Sequence, residues 1–210
     1  MNLHEFRKEY IKDILSVSDI EKDPLNQFKL WFEDAKNADF IDPNAMVLST
    51  VDGLNKPSSR VVLLKEVSKG GFVFFTNYMS RKGDEIKENN NASLLFFWDK
   101  LERQVRIEGV IEKITQEESK EYFFSRPKES QIGAWASKQS AVLKSREYLE
   151  KRVQDYSEKF GENVEYPDFW GGYRLHPNYL EFWQGRASRL HDRIIYKNEE
   201  MNWNIYRLYP

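Results

Sequence analysis

The sequence predicts a mainly β protein of the α+β class, a barrel with helices packed outside it. Three observations carry that reading. Short runs rich in Val, Phe and Leu follow one another closely from Ala45 to Ile114 with turn residues between them, as in an antiparallel sheet or barrel. A helical interval then interrupts the β pattern, and the tail returns to strands.

The elements follow in order. "DPLNQFKLWFEDAK" reads as a helix: Asp23 caps it, Pro24 suits its first turn, and Leu25, Phe28, Phe32 and Ala35 form one stripe for the core. The period then changes to that of strands in "AMVLSTV", "SRVVLLKEV", "GFVFFTN", "ASLLFFWD" and "RQVRIEGVIEKI", punctuated by "DGLNKP" and "SKGG". From Thr115, "TQEE" has the spacing of a capping box and opens a helix through Arg126–Pro127; a second runs from about Ser140 to Phe160, closed by Gly161. "WGGYRLHP", "YLEFWQG", "RLHDRIIYK" and "WNIYRLYP" read as the closing strands. With 210 residues, no internal repeat and no linker, a single domain over residues 1–210 is expected.

Composition removes several function classes. A net charge of −2, spread along the chain, argues against a general nucleic-acid surface. The absence of cysteine rules out disulfides and thiolate chemistry and fits a reducing compartment. "MNLHEFRKEYIKD" has no apolar signal core and no apolar run is long enough to cross a bilayer, so no membrane association and a cytoplasmic location are expected. There is no G-x-G-x-x-G, phosphate loop, G-x-S-x-G or H-E-x-x-H. His4, His176 and His191 are far apart, which argues against a histidine-rich metal site; a carboxylate site stays open, and no metal is assigned.

Local clusters point to anions. In "NYMSRKGDEIKEN", Ser80 as N-cap puts Arg81 and Lys82 in the first helical turn, where cations oppose the helix dipole unless a phosphate reverses the sign; solvated surface charge is the competing reading. Arg60 and Lys65 bracket an apolar run at an odd separation, on opposite faces of a regular strand, so one ligand reaches both only through a bulge or from different sides. Tyr122 and Arg126 are helical i, i+4 neighbours with Ser130 a turn further, a hydroxyl–guanidinium–hydroxyl row suited to phosphate, although an arginine satisfying a helix C-terminus is the common alternative. In "RLHDR", read as a strand, Arg189, His191 and Arg193 share one face. Gln104 could present an amide to a ligand's polar edge or simply be exposed. Six Trp, eleven Tyr and fourteen Phe are mostly core.

The ordered blocks "RVVLLK", "FFTNYMSRKG", "LERQVRIEG", "YFFSRPKESQIGAWASKQS", "FWGGYRL", "EFWQG" and "RLHDR" resemble the pyridoxine (pyridoxamine) 5′-phosphate oxidase family from about Arg7 to the last residue. The resemblance implies a homodimeric split β-barrel binding FMN at the subunit interface. It implies oxidation of pyridoxamine 5′-phosphate and pyridoxine 5′-phosphate by molecular oxygen to pyridoxal 5′-phosphate, with hydrogen peroxide released. By position, the family's FMN contacts fall on Arg60, Val61, Lys65, Phe75, Thr76, Arg81, Lys82, Gln104, Gln139, Ser140, Trp183 and Arg193. Its substrate-phosphate clamp falls on Lys65, Tyr122, Arg126 and Ser130, its ring-holding residues on Arg189 and His191, and its carboxylate near the reacting end on Asp42. Arg7 and Tyr10 match a mobile lid within residues 1–20, and Tyr209 stands where the family ends in a small residue. The rival class is a non-catalytic FMN- or pyridoxal-phosphate-binding carrier or sensor; a reductase using another electron donor is more distant.

Overall fold

The computed structural model describes residues 1–5 and 9–210. Helix α1 (Pro24–Asn37) begins as predicted: the Asp23 carboxylate accepts the Leu25 N–H at 2.7 Å, and Pro24 needs no partner for its missing N–H. Its buried face is rotated slightly from the predicted stripe, with Phe28, Trp31 and Ala35 inside and Leu25 and Phe32 at the margin. Strands β1 (Ala45–Val51) and β2 (Pro57–Leu63) follow, and β3 (Glu66–Ser68) and β4 (Gly71–Asn77) after them, so "SRVVLLKEV" is two strands broken after Leu63. Next come α2 (Arg81–Glu88), β5 (Asn91–Trp98) and β6 (Arg103–Lys113).

The helical interval holds three helices rather than two. They are α3 (Gln116–Ser125), α4 (Lys128–Ala136) and α5 (Arg146–Phe160). The Thr115–Glu118 capping box is present, and Pro127 forces the break after α3 by pushing Arg126 into extended backbone at φ −80°, ψ 151°. The chain ends in β7 (Trp170–Gln184), β8 (Asp192–Glu199) and β9 (Asn202–Leu208); β7 is one 15-residue strand where the sequence pattern divided it in two.

Among the described residues nine strands form one antiparallel sheet, seven in the order β2-β1-β5-β6-β7-β4-β3 with β8 and β9 branching from β7, curled into a half-barrel. Strand β7 acts as the hub: β6 pairs along its length, β4 takes its first half and β8 its second, with β9 beyond β8. The main core joins α1 to the sheet, where Phe28 meets Phe72 edge-on at 4.9 Å between ring centroids and packs on Phe96 at 5.1 Å. Removing such a ring costs about 3–5 kcal/mol. A second apolar cluster, Phe123, Ile132, Phe160, Val164 and Trp170, seats the three helices against the sheet. The opposite face of the β2-β1-β5 edge leaves Val61, Leu63 and Phe97 exposed. Among the described residues no helix is long and apolar enough to cross a membrane.

Candidate active site

The turn between β4 and α2 builds the first cation cluster. A Cβ on Gly83 would lie 2.0 Å from the Tyr78 carbonyl oxygen, so only glycine lets the first turn of α2 fold back this closely. Ser80 precedes the helix as predicted, yet its hydroxyl donates to the Asn77 carbonyl (2.7 Å) instead of capping. Lys82 is turned inward and buried, its Nζ donating to Thr76 Oγ1 (3.1 Å), Ser80 Oγ (3.2 Å) and Gln139 Oε1 (3.1 Å). All three acceptors are neutral. Burial, and then the Arg60 charge, push the Lys82 ammonium down to about 8, with Glu85 opposing.

Arg60 and Arg81 are held differently. Glu85, buried on α2, accepts from Arg60 (2.9 Å), from Arg81 Nε (2.8 Å) and from the hydroxyls of Thr50 and Ser58. Burial alone would raise its carboxyl, but these donors bring it down to about 2. Glu85 is absent from the sequence expectations, although its i, i+4 spacing from Arg81 was a readable signal.

A second donor set stands across the same cleft. Arg126 ends α3 and Ser130 sits in the first turn of α4, so the Pro127 break, rather than a continuous helix, brings both to the cleft. Tyr122 lies face to face with Phe75 at 3.8 Å. Arg126 Nη1 is buried with no hydrogen-bond partner among the described residues, and burial lowers the guanidinium's pKa. Lys65 reaches the cleft because β2 ends at Leu63, which resolves the parity conflict with Arg60. The cleft encloses about 1030 Å³ and is lined by twelve of the expected residues: Arg60, Val61, Lys65, Phe75, Thr76, Arg81, Lys82, Tyr122, Arg126, Ser130, Gln139 and Ser140.

Of the remaining expected residues, Tyr10, Gln104, Trp183, Arg189, His191 and Arg193 form a separate group around the C-terminal end of β7. Gln104 on β6 pairs with Trp183 on β7, which pairs with Arg193 on β8. The Trp183 ring lies 4.6 Å from His191, and Tyr10 packs edge-on against both at 5.7 and 5.6 Å. None of these lines the cleft of the same chain. Asp42 sits exposed in the turn before β1 and is not a cleft residue either; Arg7 lies outside the described residues.

"RLHDR" is not a strand throughout. β8 starts at Asp192, and Ser188 and Arg189 occupy a turn with left-handed backbone, φ 55° and 61°. Arg193 is therefore separated from Arg189 in role: it pairs with Glu181 at 2.8 Å and donates to the Tyr209 carbonyl. His191 Nδ1 accepts the Arg186 N–H at 3.1 Å, which leaves Nε2 to carry the proton of the neutral ring. Burial and the nearby Arg189 charge lower the His191 pKa, so neutral is its form at pH 7.

Residues 32–160 match the family described as pyridoxamine 5′-phosphate oxidase, and residues 170–210 match the pyridoxine 5′-phosphate oxidase C-terminal dimerisation region. The chain belongs to the pyridoxamine 5′-phosphate oxidase family. Its relatives in this family include the pyridoxine/pyridoxamine 5′-phosphate oxidases of Burkholderia thailandensis, 54% identical over 99% of both chains, and of Cupriavidus taiwanensis, 53% identical over the same shares. Among solved structures, PhzG from Burkholderia lata, crystallised with tetrahydrophenazine-1-carboxylic acid, superposes with a TM-score of 0.89 at 30% identity, covering 94% of this chain and 98% of its own. An FMN-binding protein from Nostoc punctiforme related to pyridoxamine 5′-phosphate oxidase shares the fold, with a TM-score of 0.72 at 15% identity over 90% of this chain and 98% of its own. The dimerisation match of the oxidase family coincides with the segment carrying Trp183, Arg189, His191 and Arg193.

Proposed function

We propose that the protein is an FMN-dependent oxidase that converts pyridoxamine 5′-phosphate and pyridoxine 5′-phosphate to pyridoxal 5′-phosphate, with molecular oxygen as acceptor and hydrogen peroxide as by-product. The observation that carries this reading is the pair of donor sets in one cleft: Arg81, Lys82, Gln139 and Ser140 on one side, and Lys65, Tyr122, Arg126 and Ser130 on the other. Each set contains a cation whose burial is not matched by a carboxylate, Lys82 in the first and Arg126 in the second. A phosphate dianion supplies what each lacks.

FMN fits the Lys82 side, where the buried ammonium and the Gln139 amide would meet its phosphate and Arg60 would border it. When bound, FMN supplies a two-electron acceptor that oxygen regenerates. The protein's part is positioning. Arg126, with the hydroxyls of Tyr122 and Ser130, anchors the substrate phosphate, which fixes the distance of the pyridine ring from the flavin region. Arg189 and His191 hold the pyridine from the opposite side, the neutral His191 offering Nε2–H as a donor and Arg189 a positive charge toward the ring substituents, with Trp183 beside them toward the flavin.

Because this group stands away from the cleft within one chain, a homodimer joins them: the cleft of one protomer faces the Trp183 group of its partner. The exposed apolar Val61, Leu63 and Phe97 beside the cleft, and the dimerisation-region match, support that arrangement. The test is an absorption spectrum of the purified protein followed by anaerobic pyridoxamine 5′-phosphate. A flavin band that bleaches and returns with air supports the oxidase; an unchanged band favours a carrier, and turnover of an aromatic carboxylate instead of the phosphorylated pyridine would move the assignment toward a PhzG-like substrate.

A further inference from the structure

Arg126 is held in an unusual way for this protein. Arg60, Arg81, Arg103, Arg106, Arg174 and Arg193 each pair with a carboxylate. The Arg126 guanidinium makes no ion pair or side-chain hydrogen bond among the described residues, and its Nη1 is buried with nothing to donate to. What it does touch is a ring face: its guanidinium carbon lies 4.6 Å from the Trp170 centroid. Trp170 opens β7, paired across to Asn77, and its plane is fixed by neighbouring rings. Phe75 and Tyr122 run nearly parallel to it, at 15° and 6°, and Phe123 meets it edge-on at 5.4 Å.

We propose that Trp170 is a positioning residue for the ligand phosphate, its indole face holding Arg126 in place of a carboxylate. The chemistry favours a ring over an acid here. A carboxylate would bind the guanidinium through its in-plane N–H groups and cancel its charge. An aromatic face attracts the cation from above its plane, so the charge persists and the N–H edge stays open to an incoming anion. A ring also keeps the site dry. The inference rests on the phosphate-clamp reading of Arg126 given above and identifies what aims that clamp.

The test uses the FMN-loaded protein with Trp170→Leu, Trp170→Phe, Arg126→Ala and the Trp170→Leu/Arg126→Ala pair. Dissociation constants are measured for pyridoxal 5′-phosphate and for pyridoxal, and KM and kcat for pyridoxamine 5′-phosphate, with thermal melts confirming folding. Trp170→Leu should weaken the phosphorylated ligand roughly 5- to 30-fold, leave pyridoxal within about twofold, and raise KM more than it lowers kcat. Trp170→Phe, which keeps a weaker aromatic face and most of the packing, should recover most of the loss, and Trp170→Leu should add little once Arg126 is gone. Equal losses for pyridoxal and its phosphate, or a full additional loss on top of Arg126→Ala, would show that Trp170 merely packs. If Trp170→Leu fails to fold, Trp170→Met, which keeps more of the side-chain volume without a ring, takes its place: a phosphate selectivity equal to wild type in that variant overturns the proposal. Failure of the functional reading has a different signature, a wild-type protein that binds pyridoxal and its phosphate equally, and it would remove the inference with it.

Discussion

Replacing Lys82 by Met should make the FMN-free protein more stable and its grip on FMN weaker. The Lys82 ammonium is buried against three neutral acceptors and stands at about 8, compared with 10.5 for a free lysine. At about 1.4 kcal/mol for each pH unit, keeping that charge in place at pH 7 costs on the order of 3 kcal/mol. Methionine fills a similar volume without the charge. It leaves lone pairs on Thr76, Ser80 and Gln139 unmet, but the Ser80 hydroxyl still donates to Asn77 and Thr76 to Gln139, so the offset is about 1–2 kcal/mol. The net gain of roughly 1–2 kcal/mol corresponds to a melting temperature higher by about 2–8 °C for a domain of this size.

The pH dependence supplies the control. A lysine whose folded pKa lies below its unfolded value destabilises fully at pH below about 8, and that penalty fades as pH rises toward 10.5. The advantage of Lys82→Met over wild type should therefore shrink between pH 7 and 9.5. FMN binding runs the other way: losing a charge-assisted contact of roughly 1.5–3 kcal/mol weakens FMN about 10- to 150-fold, and wild-type affinity itself should decline above pH 8. Thermal melts of the flavin-free protein and flavin fluorescence titrations measure both. A variant that melts at or below wild type at pH 7, or a stability gap that is constant with pH, would refute the reasoning.

Other perturbations follow from the same geometry. Arg126→Ala removes the guanidinium whose Nη1 has no partner, and should weaken pyridoxamine 5′-phosphate binding by about 10- to 150-fold in a dissociation titration; an unchanged affinity ends its role as clamp. Arg189→Ala should lower kcat about tenfold or more, and by more than Arg126→Ala does, because the proposed arrangement sets Arg189 against the reacting ring; equal losses confined to KM would contradict that. Glu85→Gln should flatten the loss of stability that wild type shows on acidification. A carboxyl held at about 2, below its unfolded value, contributes stability above pH 4.5 that disappears as pH falls through 2, and acid titration by circular dichroism reads the difference between the two proteins.

The strands of the sheet and α1 were legible because their signals are local: alternation, turn residues and an Asp-Pro cap act over a few positions. Breaks inside elements were less so. Pro127 was legible as the end of α3, but that α4 would start directly after it depended on packing of Ile132 and Phe160 in a cluster assembled from distant segments. The fusion of "WGGYRLHP" and "YLEFWQG" into β7 depended on β6 pairing along both, a long-range event that no window detects. In "RLHDR" the alternation of basic residues imitated a strand, while Ser188 and Arg189 adopt left-handed backbone that their residue types do not announce. Within the site, cations could be read from the sequence, but which of them would be neutralised could not. Glu85 takes Arg60 and Arg81, Glu181 takes Arg193, Lys65 and Arg189 stay exposed, and only the folded arrangement shows that Lys82 and Arg126 are the ones turned inward without a carboxylate.

That remainder bears directly on the choice between oxidase and carrier. A protein that only stored a flavin would need one uncompensated cation in its cleft, at the flavin phosphate, and a second would be a standing penalty with nothing to offset it. Here two cations lack a carboxylate contact in a single cavity, the buried Lys82 beside Thr76 and Gln139 and the half-buried Arg126, its Nη1 enclosed, over Trp170. Neutralising both takes two phosphate groups held at once, and the aromatic stack of Phe75, Tyr122 and Trp170 closes the side of the cavity that carries Arg126. Two phosphorylated ligands bound together, one a redox cofactor, are what the proposed oxidation requires and what a carrier has no use for.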